Sequence, residues 1–520
     1  MRHPFLSLVL LVGLLAGLAF ANTMTYIESQ EVTVIDPALH TDESSLHAVL
    51  NIYDPLVYPK VQEGLMEPGP HLAESWTVSE DGTVYTFTLR DDVVFHDGSV
   101  MNADDVVYSV QRLMGIQKGF SWLFAGVVEA ENVVALDDRT VQFTLNNAYA
   151  PFVPSLTQLF IVNADLVRAN EVDGDWGQAF LRENDAGSGP YIPVRYQRAT
   201  ILELDAFEDY WRGWSEGQVT HVLYRVVEEE ATVRTLLASG DADMIDQWQT
   251  PRTYDQLATI DGITVDRQAS AQLFHVPLNT ARAPLDNLDF RKALVHAFDF
   301  ETAQDAILGG AAPAQGPVPV STWRAFGREP VAEPYAQDLE AARGFLEASG
   351  VDPSTVELDY VFPEGGNRQR QVGLLLQSNL AEHGISVRLQ EVPWARIVEL
   401  SSSADTTPDM AAIFDTLKYP HPDSHLFGMY HPSALGSYRT ISRYDVPEVS
   451  ALLEQAREEV DLDRQLDLYQ EADQMITEDY PSLFVGIPVH TIAFADHVQG
   501  YSYVGLLGYD VAFYDFTFAE

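Results

Sequence analysis

Tyr85, Phe87 and Leu89 alternate with Thr86 and Thr88, the period-two pattern of a strand with one buried face. The turn signal Asp81-Gly82 precedes this run and Asp97-Gly98 follows it. Asn102 then stands in the cap position of a helix whose Val106, Val107, Val110, Leu113 and Met114 share one face, with Gly115 in the stop position. The expected order is strand, turn, strand, capped helix. A second alternation, Val141, Phe143 and Leu145, follows Asp137-Asp138, and Ala231 to Ser239 reads as a short helix ended by Gly240.

The second half of the chain has a different rhythm. A helix is expected from Phe290 to Leu308, a Pro-rich linker from Pro313 to Pro319, and a helix from Leu339 to Ala348 stopped by Gly350. Then come a strand carrying Val356, Leu358, Tyr360 and Phe362, a helix carrying Val372, Leu375, Leu376 and Leu380, and a strand carrying Ile385, Val387 and Leu389. Strand, helix, strand in so short a stretch is a βαβ unit. No internal repeat or low-complexity tract is evident.

At the N-terminus, Arg2 and His3 precede an apolar run from Phe5 to Phe20, and Ala19-Phe20-Ala21 places small residues where a signal peptidase reads them. The run is short for a membrane span. The pattern predicts a signal peptide over residues 1–21, cleaved before Asn22, and a soluble exported protein.

Composition narrows the function. The 520 residues are 46% hydrophobic and 21% charged, which excludes wholesale disorder. A formal charge of −47 would repel nucleic acid and anionic membrane surfaces. With no cysteine there can be no disulfide, thiolate metal site, cysteine nucleophile or lipidated N-terminal cysteine. Lysine occurs four times, at Lys60, Lys118, Lys292 and Lys418.

There is no GxxxxGK[ST], GxGxxG or HExxH motif. Gly187-Ser188-Gly189-Pro190 is the nearest Gly-rich loop, and its proline makes it a rigid turn. Adjacent carboxylates such as Asp104-Asp105 are too common in so acidic a chain to mark an acid/base pair. His421, His425 and His431 are weak metal candidates, because Pro420 and Pro422 disfavour a helix presenting the first two together.

A run of motifs then resembles one family throughout. Leu72-Ala73-Glu74-Ser75-Trp76, Asp81-Gly82, Phe95-His96-Asp97-Gly98 and Ala103-Asp104-Asp105-Val106-Val107-Tyr108-Ser109 resemble the signature of the family 5 extracellular solute-binding proteins. So, in order, do Tyr53-Asp54-Pro55-Leu56-Val57, Gly187 to Tyr191, Asp209 to Gly213, Leu237 to Asp243, Leu278-Asn279-Thr280 and Phe290 to Leu294.

The resemblance implies an α/β fold of the two-lobed periplasmic binding protein type (Venus-flytrap, type II-like), with an extra α/β subdomain inserted in lobe one. Lobe one would comprise 22–271 plus 492–520, with the insertion at about 58–180, and lobe two 272–491. It further implies the periplasmic substrate-binding component of an ABC importer, capturing a peptide-like or other oligomeric solute between its lobes: a carrier without catalysis or cofactor, a monomer, partnered by an ABC permease complex in the inner membrane. Trp76, Tyr85, Phe87 and Trp211 are expected in the core.

The resemblance implies ligand contacts from the segment before Tyr53, from Trp248, His275, Asn279 and Trp394, and from the stretch from Phe414 to Pro422, with Asp415, Thr416, Lys418 and Tyr419. In peptide receptors of this family an aspartate commonly sits four residues before a proline and pairs with the ligand's α-amino group. Counting back from Pro422 gives Lys418 instead. Either Lys418 pairs with Asp415 or Asp423, or a register shift makes Asp415 the amine partner, or the ligand is anionic or neutral at that end: an opine, an acidic sugar oligomer or an N-blocked peptide. A metal complex held by His421 or His425 and an exported hydrolase are the remaining readings.

Overall fold

The computed structural model describes residues 22–62 and 65–519. The signal-peptide reading of residues 1–21 lies outside the described residues. No helix among the described residues is long and apolar enough to cross a membrane.

The strands predicted from alternation form where their apolar residues find a common core. Val84–Leu89 buries Tyr85, Phe87 and Leu89, and Thr140–Leu145 buries Val141, Phe143 and Leu145. Together with Ala73–Val78 and Val128–Asp137 they make a four-stranded antiparallel sheet. Helix Ala103–Ile116 packs on it and begins with a capping box, in which the Asn102 side chain accepts from Asp104 N while Asp105 Oδ2 accepts from Asn102 N at 2.8 Å. The helix runs one residue past Gly115 and ends at a left-handed Gln117. Gly115 therefore serves close approach, since a Cβ there would lie 2.6 Å from the Trp176 indole.

A seven-stranded mixed sheet forms the body from which this subdomain extends. Its order is Ile263–Ala269, Val489–Ala495, Met244–Ile245, Thr23–Glu28, His221–Val226, Ile201–Ala206 and Tyr191–Gln197. The chain leaves this sheet after Ala269 and enters a four-stranded sheet at Gln272, then returns through Pro488 between Ser482–Ile487 and Val489–Ala495. The Ser270 hydroxyl donates to the carbonyl of Pro488, tying the two crossings together. Two α/β lobes joined by two short crossings is the expected architecture.

In the second lobe the βαβ unit is present: Glu357–Pro363 pairs in parallel with Ser386–Val392, with helix Asn367–Ala381 between them. Helix Leu339–Ser349 stops at Gly350 with φ 69°, as read from the sequence. The helix expected from Phe290 to Leu308 divides. It ends at Ala297, Phe298 is extended, and Asp299 caps a new turn by accepting from Thr302 N. The Pro-rich linker contributes a two-residue strand, Ala312–Pro313, at the edge of the sheet.

Candidate functional site

Lys418, Asp415 and Arg439 meet in the second lobe with no exposed surface beyond 2%. Asp415 ends strand Ile413–Thr416 and receives a two-pronged bond from Arg439, Nε to Oδ1 at 2.8 Å and Nη2 to Oδ2 at 2.7 Å. Gly428 makes room for that guanidinium, as a Cβ there would lie 2.2 Å from Nη1. Lys418 Nζ lies 3.2 Å from Asp415 Oδ1 without completing an aligned hydrogen bond, and His425 Nε2 lies 3.4 Å from Oδ2.

The electrostatics follow from two cations sharing one anion. Burial alone would raise the Asp415 carboxyl, but Arg439 and then Lys418 outweigh it and hold the group well below the usual carboxylate range. Burial lowers Lys418 to about 8 even though Asp415 favours its charge. His425 is lowered by burial to about 4 and is neutral near pH 7. The cluster thus carries one net positive charge. Asp423 serves a separate pair with Arg457 at 2.8 Å, with the hydroxyls of Tyr469 and Tyr149 donating to it at 2.7 and 3.2 Å.

This cluster sits on the seam between the lobes. Leu417 and Tyr419 pack into the core of the first lobe. Gln158 Nε2 donates to the Lys418 carbonyl at 2.7 Å, Leu507 N to the Leu417 carbonyl at 2.9 Å, and Arg368 Nη2 to the Gln247 carbonyl at 2.9 Å. The lobes are closed on one another.

Between them lies a narrow cavity. Gln30, Asp42, Glu43, Trp248 and Leu507 line it from the first lobe, and Gln369, Trp394, Ala412, Phe414 and Tyr438 from the second. Its volume is about 30 Å³, enough for a water molecule and not for a dipeptide. The first-lobe wall is acidic: burial raises the carboxyls of both Asp42 and Glu43. Lys418 acts on Glu43 from the second lobe, although none of the second-lobe residues that line the cavity is charged.

Of the residues expected from sequence, Trp248 and Trp394 line this cavity. Trp248 packs on Phe414, with ring centres 5.5 Å apart, and Trp394 meets Tyr438 edge-on at 4.9 Å. Trp248→Ala and Trp394→Ala should each weaken solute binding about tenfold or more by titration calorimetry, roughly 1.4 kcal/mol or more. The melting temperature should stay within a few degrees; unfolding with unchanged affinity in the folded fraction would make these rings ordinary packing.

The other expected residues are drawn inward. Asn279 Nδ2 donates to the carbonyls of Thr407 and Pro408 at 3.4 and 3.3 Å, so it anchors a second-lobe loop. His275 Nδ1 lies 3.2 Å from Ser482 Oγ inside the sheet. Thr416 Oγ1 accepts from Gln272 Nε2 at 3.0 Å, and the Tyr419 hydroxyl donates to Asp423. His421 is buried between Phe326 and Tyr469, with ring centres 5.2 and 5.4 Å away, while His425 faces Asp415. Among the described residues neither belongs to a group of three side chains able to share a metal ion. The break at Pro422, where helix Asp423–Tyr430 begins, sends the two imidazoles apart.

Sequence reasoning pointed to the segment before Tyr53 without singling out Asp42 or Glu43, and it missed Tyr438 and Arg439. Asp42 is legible only as a helix cap, accepting from Ser45 N at 2.9 Å. Arg439 lies 24 residues from Asp415 and has no local signature.

Comparison with known proteins agrees with this architecture. The family described as bacterial extracellular solute-binding proteins, family 5 (Middle) matches residues 67–437. The probable D,D-dipeptide-binding periplasmic protein DdpA of Escherichia coli is 26% identical, covering 97% of this chain and 96% of its own. Heme-binding protein A of Haemophilus influenzae is 28% identical, covering 95% and 92%. Among solved structures, the ABC transporter-associated periplasmic binding protein DppA of Helicobacter pylori, in complex with the peptide STSA, superposes with a TM-score of 0.87 at 25% identity. It covers 96% of this chain and 98% of its own.

Proposed function

Because the chain belongs to the family 5 bacterial extracellular solute-binding proteins, we propose that it is the periplasmic solute-capturing component of an ABC importer. It takes a peptide-like solute between its lobes and hands it to a membrane permease, without catalysing a reaction. The similarity to DdpA and to the H. pylori peptide complex over nearly the whole chain supports the peptide-like solute. The observation that carries the reading is the cavity walled by both lobes. Since this cavity admits only a water as it stands, a solute that occupies it must enter with the lobes apart, and binding is then the closing of a two-state hinge.

The charges favour a particular orientation. Asp415 cannot serve a ligand ammonium, because Arg439 occupies both of its oxygens and Lys418 stands beside it. A positive solute group is better met by Asp42 and Glu43 on the first lobe. The end that approaches Lys418 is anionic or neutral, as in an N-blocked peptide, an opine or an acidic sugar oligomer.

Native mass spectrometry of purified protein identifies a trapped solute, and titration with it should give one equivalent per chain. Small-angle scattering should show a smaller radius of gyration with that solute than without it. Turnover of peptide or glycoside pools without stoichiometric binding would instead favour an exported hydrolase.

A further inference from the structure

Beneath the first-lobe wall of the cavity lies a second constellation, which shares only Glu43 with the cavity lining. Helix Glu43–Ile52 carries Glu43 and His47 one turn apart on one face, and Asp510 reaches them from the C-terminal segment. His47 Nε2 is 3.9 Å from Glu43 Oε1 and 4.0 Å from Asp510 Oδ1, and one ligand atom from each residue lies within 4.8 Å of the other two. All three side chains are buried.

His47 is the group that calls for an explanation. It is 2% exposed, and neither of its ring nitrogens makes a hydrogen bond. A buried imidazole left without partners is costly. Its surroundings are nevertheless organised. Glu28 Oε2 lies 3.5 Å from Nδ1, and Glu28 is itself held by the hydroxyls of Tyr26 and Tyr224 at 3.2 and 3.1 Å. A proton on Nδ1 facing Glu28 leaves the Nε2 lone pair directed at Glu43 and Asp510, the carboxylate–histidine support usual behind a metal-bound imidazole.

The carboxylates have supports of their own. Gln247 Nε2 donates to Glu43 Oε1, and Gln247 Oε1 lies 3.1 Å from His490 Nδ1. His490 Nε2 in turn lies 2.7 Å from the Tyr501 hydroxyl and 3.5 Å from Asp510 Oδ2.

We propose that Glu43, His47 and Asp510 form a binding site for one divalent cation of the zinc type. Two carboxylates balance its charge, and the imidazole favours a first-row transition ion over calcium or magnesium. Tetrahedral zinc holds such donors at about 2.0–2.2 Å, which places pairs of them about 3.3–3.6 Å apart. The spacings from His47, 3.9 and 4.0 Å, are a few tenths of an ångström wider, a gap that small side-chain shifts would close. The cation would fasten the C-terminal segment to the helix, three residues from Leu507, whose N–H reaches across to the second lobe. The proposal is independent of which solute the cleft takes.

The test uses the full purified protein, stripped with a chelator and titrated with zinc alone, with retained metal counted by mass spectrometry. Wild type should keep one equivalent, His421→Gln should keep it too, and His47→Gln and Asp510→Asn should bind at least a hundredfold more weakly. No zinc retained by wild type, or equal retention by folded variants, overturns the proposal. Should a variant fail to fold, X-ray absorption of zinc-loaded wild type decides. One imidazole with oxygen neighbours supports the site, and two or more imidazoles refute it.

Discussion

Asp415→Asn should cost the folded protein about 3–5 kcal/mol, because it removes the sole carboxylate of a buried cluster and leaves Arg439 and Lys418 facing each other. Lysine can shed its proton there, but a guanidinium cannot. Arg439 would keep its bond to the Ser424 carbonyl at 2.7 Å but retain at most one of its two bonds to position 415, a neutral one, since an amide offers a single acceptor oxygen. Denaturant titration should show the loss as a lower midpoint. The double variant Asp415→Asn/Arg439→Met should recover part of it, since the penalty lies in the stranded charge and the two sites are directly coupled. Full additivity of the two single losses would place the cost elsewhere. A group so depressed contributes stability above the pKa of an unfolded aspartate and loses it as pH falls below that value.

Lys418→Met should act in opposite directions on stability and on function. Folded Lys418 titrates near 8, against 10.5 for an unperturbed lysine, so burying its charge costs about 3 kcal/mol at 1.36 kcal/mol per unit. Between pH 8 and 10.5 the unfolded chain holds a proton that the folded chain has released, so stability rises with pH across that window. Below 8 the whole cost is present. Methionine fills a similar volume without the charge and leaves Asp415 paired with Arg439. A gain of about 1–3 kcal/mol is expected.

Solute affinity should fall at least tenfold in the same variant. If Lys418 meets the solute as proposed, wild-type affinity should weaken as pH rises through 8, where its ammonium is lost. Lys418→Arg should keep binding at pH 9. A variant that is both more stable and equally competent would reduce Lys418 to a buried ion-pair partner.

Much of the architecture is legible because it is written locally. The strand at Val84–Leu89, the cap at Asn102, the stop at Gly240 and the βαβ unit around Asn367–Ala381 each need only a period of two or 3.6 and a residue suited to the adjoining turn. Motif order along the chain then carries the family and its two lobes. Where local signals mislead, a distant neighbour is the cause. Gly115 looks like a helix stop and is instead a gap for Trp176, and Gly187 and Gly189 lie against the Ile52 carbonyl, where a Cβ would come within 2.0 and 2.7 Å.

The sites are another matter. Trp248 and Trp394 could be placed at the cleft from the segments they occupy, but the carboxyls of Asp42 and Glu43 that face them could not. Asp415 is read correctly only once Arg439, 24 positions on, folds back over it through the space left by Gly428. Glu43 and His47 are one helical turn apart in any reading, yet they become a site only when the C-terminal segment brings Asp510 beside them. Sequence determined the elements and their family, because backbone preferences and side-chain periodicity act over a few residues. Tertiary structure decided which charges meet, because a buried ion is defined by whatever the whole fold places around it.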